Sequence, residues 1–107
     1  MKRANWSLLD ETAVYPGIFR QVFTAGNLQI VRYRYAPGSV FETHAHPEEQ
    51  LTVGLQGRLE FEVAGQKHTC GPGDVVFVPG GVSHDARNVG DGEAVTLNFF
   101  SPPKEGF

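Results

Sequence analysis

The sequence predicts an all-β domain of nine or ten short antiparallel strands, closed into a small barrel or a double-sheet jelly roll. Three observations carry that expectation. Thirteen glycines and seven prolines stand among 107 residues, an excess with no collagen-like or low-complexity period. From Gly17 to Pro102 they recur at intervals of roughly seven to twelve residues, the turn spacing of sandwiches and barrels. Between them apolar and polar residues alternate with period two, most plainly in Arg58-Leu59-Glu60-Phe61-Glu62-Val63.

Taken in order, the chain opens with a short helix near Ser7 to Asp10, with Ser7 as its N-cap, and no longer helix fits anywhere. Strands are expected near 18–24, 28–36, 40–46, 49–56, 58–63, 66–70, 74–78, 84–88 and 93–101. Gln56-Gly57 and Ala64-Gly65 bound the 58–63 segment tightly, so consecutive strands should pair as hairpins. Val75-Val76-Phe77-Val78, bracketed by Gly71-Pro72-Gly73 and Pro79-Gly80-Gly81, reads as a strand buried on both faces. On the last strand Ala94, Thr96, Asn98 and Phe100 alternate with Val95, Leu97 and Phe99, and both sets carry apolar bulk. If one set lines an interior, a free monomer leaves the other wet, so a homodimer is expected. No linker or charge run divides the chain, which reads as one domain over 1–107.

Composition excludes several classes. A net charge of −3 with scattered Lys and Arg offers no basic patch for nucleic acid. No apolar run reaches the roughly 20 residues of a membrane helix. The basic start Met1-Lys2-Arg3 is followed by Asn5-Trp6-Ser7-Leu8-Leu9-Asp10-Glu11, too polar for a signal peptide. With a single cysteine, Cys70, expected as a small buried packer, the chain reads as cytoplasmic.

The chemistry gathers around histidine. His44 and His46 stand at i and i+2 on a strand, so both imidazoles leave one face and can share a metal ion. Pro47-Glu48-Glu49-Gln50 follows at once with three oxygen-bearing side chains. An unbroken strand puts Glu48 and Gln50 on the face of His46 and Glu49 on the other, a count that Pro47 can upset, so Glu48 or Glu49 stands as an alternative ligand to Gln50. His84 enters its strand from the Pro79-Gly80-Gly81 turn and can face the pair across the interior, whereas His68, between Lys67 and Thr69, is expected in solvent. Val40 and Glu42 share the parity of His44, which makes Glu42 a candidate acid/base or a partner of a ligand.

Gly38-x5-His44-x-His46-x3-Gln50-x6-Gly57 and Gly73-x5-Pro79-x-Gly81-x2-His84-x3-Asn88 resemble the two signature motifs of the cupin superfamily, with Gln50 where the general pattern has glutamate. The resemblance implies a conical double-stranded β-helix, or jelly-roll barrel, holding one divalent metal on His44, His46, Gln50 and His84. The run 44–50 and the tail Leu97-Asn98-Phe99-Phe100-Ser101-Pro102-Pro103-Lys104 look like the small single-domain cupins of the pectin-degradation type, which act on unsaturated uronates and also use glutamine as fourth ligand. Those relatives have aspartate where Asn98 stands, arginine where Lys104 stands and an aromatic matching Phe100. By that resemblance Asn98 and Lys104 join Glu42, which strand parity marks, as the candidate catalytic positions, and Phe100 belongs to the substrate pocket.

A neutral amide in place of a carboxylate leaves the metal group at +2, which favours an anionic small molecule at its open positions and suits Zn, Ni, Mn, Co or Fe. The expected function is that of a non-redox isomerase, lyase or cyclase polarising an oxygen of a small carbonyl or carboxylate compound. A metal-dependent dioxygenase and a non-catalytic binding or sensing protein are the alternatives.

Overall fold

The structure, a computed structural model, describes residues 2–106. A single 3-10 turn, Trp6–Leu8, precedes ten strands: β1 Thr12–Tyr15, β2 Ile18–Ala25, β3 Leu28–Tyr35, β4 Val40–His44, β5 Glu49–Gln56, β6 Leu59–Val63, β7 Gln66–Cys70, β8 Val75–Val78, β9 His84–Asn88 and β10 Ala94–Ser101. They form a six-stranded sheet in the order β1-β2-β3-β10-β5-β8 and a four-stranded sheet in the order β4-β9-β6-β7, with every pairing antiparallel. This is the jelly roll that the turn spacing predicts.

Four local expectations are corrected. The helical turn is capped by Asn5, whose Oδ1 accepts from the backbone N–H of Ser7 at 2.9 Å, so Ser7 is not the cap. β1 is an additional strand: its four residues show no alternation and, unlike the equally short β8, no turn residues precede them to mark a start. Consecutive strands form hairpins only at β1/β2, β2/β3 and β6/β7; β10 inserts between β3 and β5, and β9 between β4 and β6, as a nested jelly roll requires. Finally, β8 is an edge strand with one wet face: Val75 and Phe77 point outward, and Phe77 is 51% exposed.

The two sheets close on a core that includes Ile18, Val31, Leu59, Phe61, Val78 and Phe100. Burying an aliphatic or aromatic side chain of this size contributes roughly 1.5–3 kcal/mol, so the alternating inner positions of β3, β6 and β10 supply much of the driving force. Cys70 packs there as expected, and His68 is exposed. No helix among the described residues is long and apolar enough to cross a membrane.

Candidate metal centre

The inner face of the barrel turns polar at one end. His44 closes β4, His84 opens β9, and the two are register partners with ring centroids 4.3 Å apart. His46 lies just past β4, its ring 4.8 Å from that of His84 and 5.6 Å from that of His44. The ligating nitrogens of the three all lie within 4.8 Å of one another. Gln50, second residue of β5, brings its Oε1 to 3.1 Å from His46 Nε2.

Two glycines make this convergence fit. Gly81 takes φ +79°, and its N–H donates to the His46 carbonyl at 2.7 Å, tying the turn before His84 to the loop that carries His46. A Cβ on Gly80 would lie 2.3 Å from the carbonyl oxygen of Pro47, so only glycine lets the two loops approach so closely.

Each imidazole is held by its far nitrogen. His44 Nδ1 meets Glu42 O at 2.8 Å, His46 Nδ1 meets Glu48 O at 3.0 Å, and His84 Nδ1 meets Val82 O at 2.8 Å. A carbonyl only accepts, so each Nδ1 carries a proton, and a ring with no second proton turns an Nε2 lone pair inward. His84 Nε2 is buried without a hydrogen-bond partner, an arrangement that a bound cation would satisfy. Burial pushes His84 down to about 4 and also lowers His44, with the neighbouring imidazoles and the Lys104 ammonium adding to the effect. Both are therefore neutral at pH 7, as metal ligands must be. Three imidazoles and an amide oxygen fit a divalent transition ion.

Above the histidines is a half-open cleft, whose enclosed part is about 20 Å³, walled by Tyr33, Tyr35, Phe41, Phe61 and Phe100. Phe100 meets His46 edge-on at 5.5 Å, as a pocket wall should. Lys104 also lines the cavity, with its Nζ 5.6 Å from the centre of the Phe100 ring. Burial and the charge of Arg20 lower the Lys104 ammonium, while Glu48 opposes them.

Asn98, Lys104, Phe100, His44, His46, His84 and Gln50 thus come together as the sequence suggests. Glu42 does not join them. A bulge between Phe41 and His44 in the pairing of β4 with β9 inverts the alternation, so Phe41 faces the cavity and Glu42 faces solvent, contributing only its carbonyl. Among the alternative ligands, Glu49 is exposed, and the Glu48 carboxylate lies 3.7 Å from His46 Nδ1, on the side of the ring away from Nε2. Several site residues escaped the sequence reading. Arg20 hydrogen-bonds the Tyr33 phenol, whose proton is held up to about 12 by burial. Gln29 grips Lys104, donating from Nε2 to its carbonyl at 3.1 Å and accepting its N–H on Oε1 at 3.0 Å. Thr52 and Thr96 flank Asn98. Inward parity marks all of these positions, yet only register places them together.

Comparison with known proteins agrees with this geometry. The cupin domain family matches residues 31–100. An uncharacterised protein of Streptomyces coelicolor is 27% identical over 94 residues, covering 88% of this chain and 89% of its own. Among solved structures, KdgF from a Halomonas species superposes with a TM-score of 0.83 at 28% identity, covering 90% of this chain and 88% of that one. An RmlC-like cupin from Shewanella frigidimarina gives a TM-score of 0.86 at 24% identity, covering 95% and 91%.

Proposed function

The chain belongs to the cupin domain family, and from that premise we propose that it is a non-redox metalloenzyme, an isomerase, lyase or cyclase, acting on a small anionic carbonyl compound such as a sugar acid. His44, His46, His84 and Gln50 would hold one divalent ion. The observation that carries this reading is the partnerless buried Nε2 of His84 among imidazoles whose other nitrogens are all committed to main-chain carbonyls. When bound, such an ion supplies Lewis acidity toward a carbonyl or carboxylate oxygen.

The chain's own residues do the rest. Lys104, held by Gln29, offers a substrate carboxylate a point charge at the cavity. Phe41 and Phe100 exclude water from the reacting carbon. Tyr33 keeps its proton far above neutral pH and donates a hydrogen bond where negative charge develops. Asn98 cannot take a proton, so it serves the site by hydrogen bonding and not as a base. The resemblance of the run 44–50 and the tail 97–104 to the pectin-degradation cupins, which act on unsaturated uronates, supports a sugar acid. We place the protein in the cytoplasm as a homodimer.

Elemental analysis of untagged protein should find a divalent metal in the parent chain and little in His44→Ala or His84→Ala; equal metal in all three would end the reading. Anaerobic assays on unsaturated uronates and 2-oxo sugar acids should show undiminished turnover, and turnover that requires O2 would replace it with an oxygenase.

A further inference from the structure

We propose that Thr52 and Asn98 are positioning residues: together they fix the rotation of the Gln50 amide so that its oxygen, not its nitrogen, faces the three histidines. The proposal rests on the reading of that site as a metal centre. Thr52 and Asn98 are register partners on β5 and β10, and Asn98 is in turn the partner of Val31 on β3, so one row of the large sheet carries the whole device.

Its polarity is set by a single main-chain carbonyl. Asn98 lies 3.2 Å from Val31 O, which only accepts, so the Asn98 atom there is the NH2 nitrogen; that nitrogen also donates to Thr96 Oγ1 at 2.9 Å. Asn98 Oδ1 therefore faces Thr52, whose hydroxyl donates to it at 2.6 Å. A hydroxyl has one proton. With that proton spent, Thr52 Oγ1 accepts, and it takes the Gln50 Nε2 donor at 2.9 Å. Nε2 also reaches Asn98 Oδ1 at 3.5 Å. The Gln50 carbonyl is left to face His46 Nε2.

His46 Nδ1 faces a carbonyl, so in the neutral ring that a metal ligand must be, Nε2 bears no proton and this contact joins two acceptors. A flipped Gln50 would relieve the conflict by donating its NH2 to His46 Nε2, and would turn an N–H toward the site where an oxygen ligand is needed. The flip would instead press Oε1 against Thr52 Oγ1, whose proton is committed elsewhere. Asn98 is 1% exposed and Thr52 fully buried, so water cannot take over the role of either. The row thus keeps the site open for a cation. It also assigns Asn98 a task different from proton transfer, since both ends of its amide are in use.

The test is a double-mutant cycle read by Co(II) affinity in chelator competition and by the Co(II) electronic spectrum. Thr52→Val should weaken Co(II) binding by roughly tenfold or more and shift the spectrum, in the range seen when groups orienting a ligand are removed. Thr52→Ser, which keeps the hydroxyl, should bind as the parent does. In a Gln50→Glu background the two carboxylate oxygens are equivalent, so Thr52→Val should there cost less than about threefold. An equal loss in both backgrounds, or none in either, would overturn the proposal. If the parent chain binds no Co(II), the metal reading fails, and the row is then judged on the metal-free protein by NMR. Gln50 side-chain N–H protons protected from exchange in the parent and in Thr52→Ser but not in Thr52→Val support it, and equal protection in all three refutes it.

Discussion

His84 ties the chemistry of the site to a measurable cost. Its imidazole is 3% exposed and its pKa is pushed down to about 4. In an unfolded chain the same ring titrates near the ordinary 6.5. Between those values the unfolded state binds the extra proton, so stability rises with pH across the window and is lost as pH falls through it. His44 is lowered for the same reason and adds to the effect. The metal-free protein should therefore show a falling melting temperature from pH 7 to pH 4.5, and His84→Asn should flatten that slope. His68→Asn, at an exposed position, should leave it unchanged. An identical slope in the His84 variant would mean that the ring is hydrated in the folded state.

At the scale of elements, the turn before β9 sets the approach of the His46 loop. Adding one methyl in Gly80→Ala forces the Pro47 carbonyl away from a contact that would otherwise be 2.3 Å. Overpacking of this kind costs roughly 1–3 kcal/mol. Because the displaced loop carries His46, the variant should both melt earlier in thermal denaturation and retain less metal after dialysis. A surface glycine with open space, Gly92→Ala, should do neither. Strands β2 to β10 and the convergence of His44, His46, Gln50 and His84 were legible because turn residues and fixed motif spacings are local signals. Glu42 was misplaced because a bulge adds a residue to one strand without leaving a mark in the alternation. The row from Val31 through Asn98 to Thr52 was illegible for another reason: it joins strands distant in sequence, and the order β3-β10-β5 cannot be read from any one of them.

At the scale of the whole molecule, the outer face of the large sheet carries an apolar line. Register places Phe23, Ile30, Phe99, Leu51 and Phe77 in one line across β2, β3, β10, β5 and β8. The N-terminal segment covers one end of that line: Lys2 stacks its ammonium on the Phe23 ring, and Gln21 donates to the carbonyls of Trp6 at 2.6 Å and Leu9 at 2.9 Å. The other end is bare, with Leu51, Phe77 and Phe99 exposed and Val75 and Leu55 beside them. A flat apolar stripe of this kind can pair with itself across a two-fold axis, since each copy presents the same strands, and a stable interface asks for about 800 Å² from each partner. Sedimentation should therefore give twice the 11.7 kDa chain mass for the parent protein and a single chain mass for Phe77→Arg, which puts a charge in the exposed end of the stripe, where burial in an interface would be costly. Phe77 points away from the histidines, so the variant should keep its metal. A parent chain that sediments as a monomer at tens of micromolar would show that the stripe stays wet. A dimer that persists in Phe77→Arg would place the interface elsewhere. The strands that would pair across the axis are those whose inner face carries Gln50, Thr52 and Asn98, so association would stiffen the floor of the site without adding a residue to it.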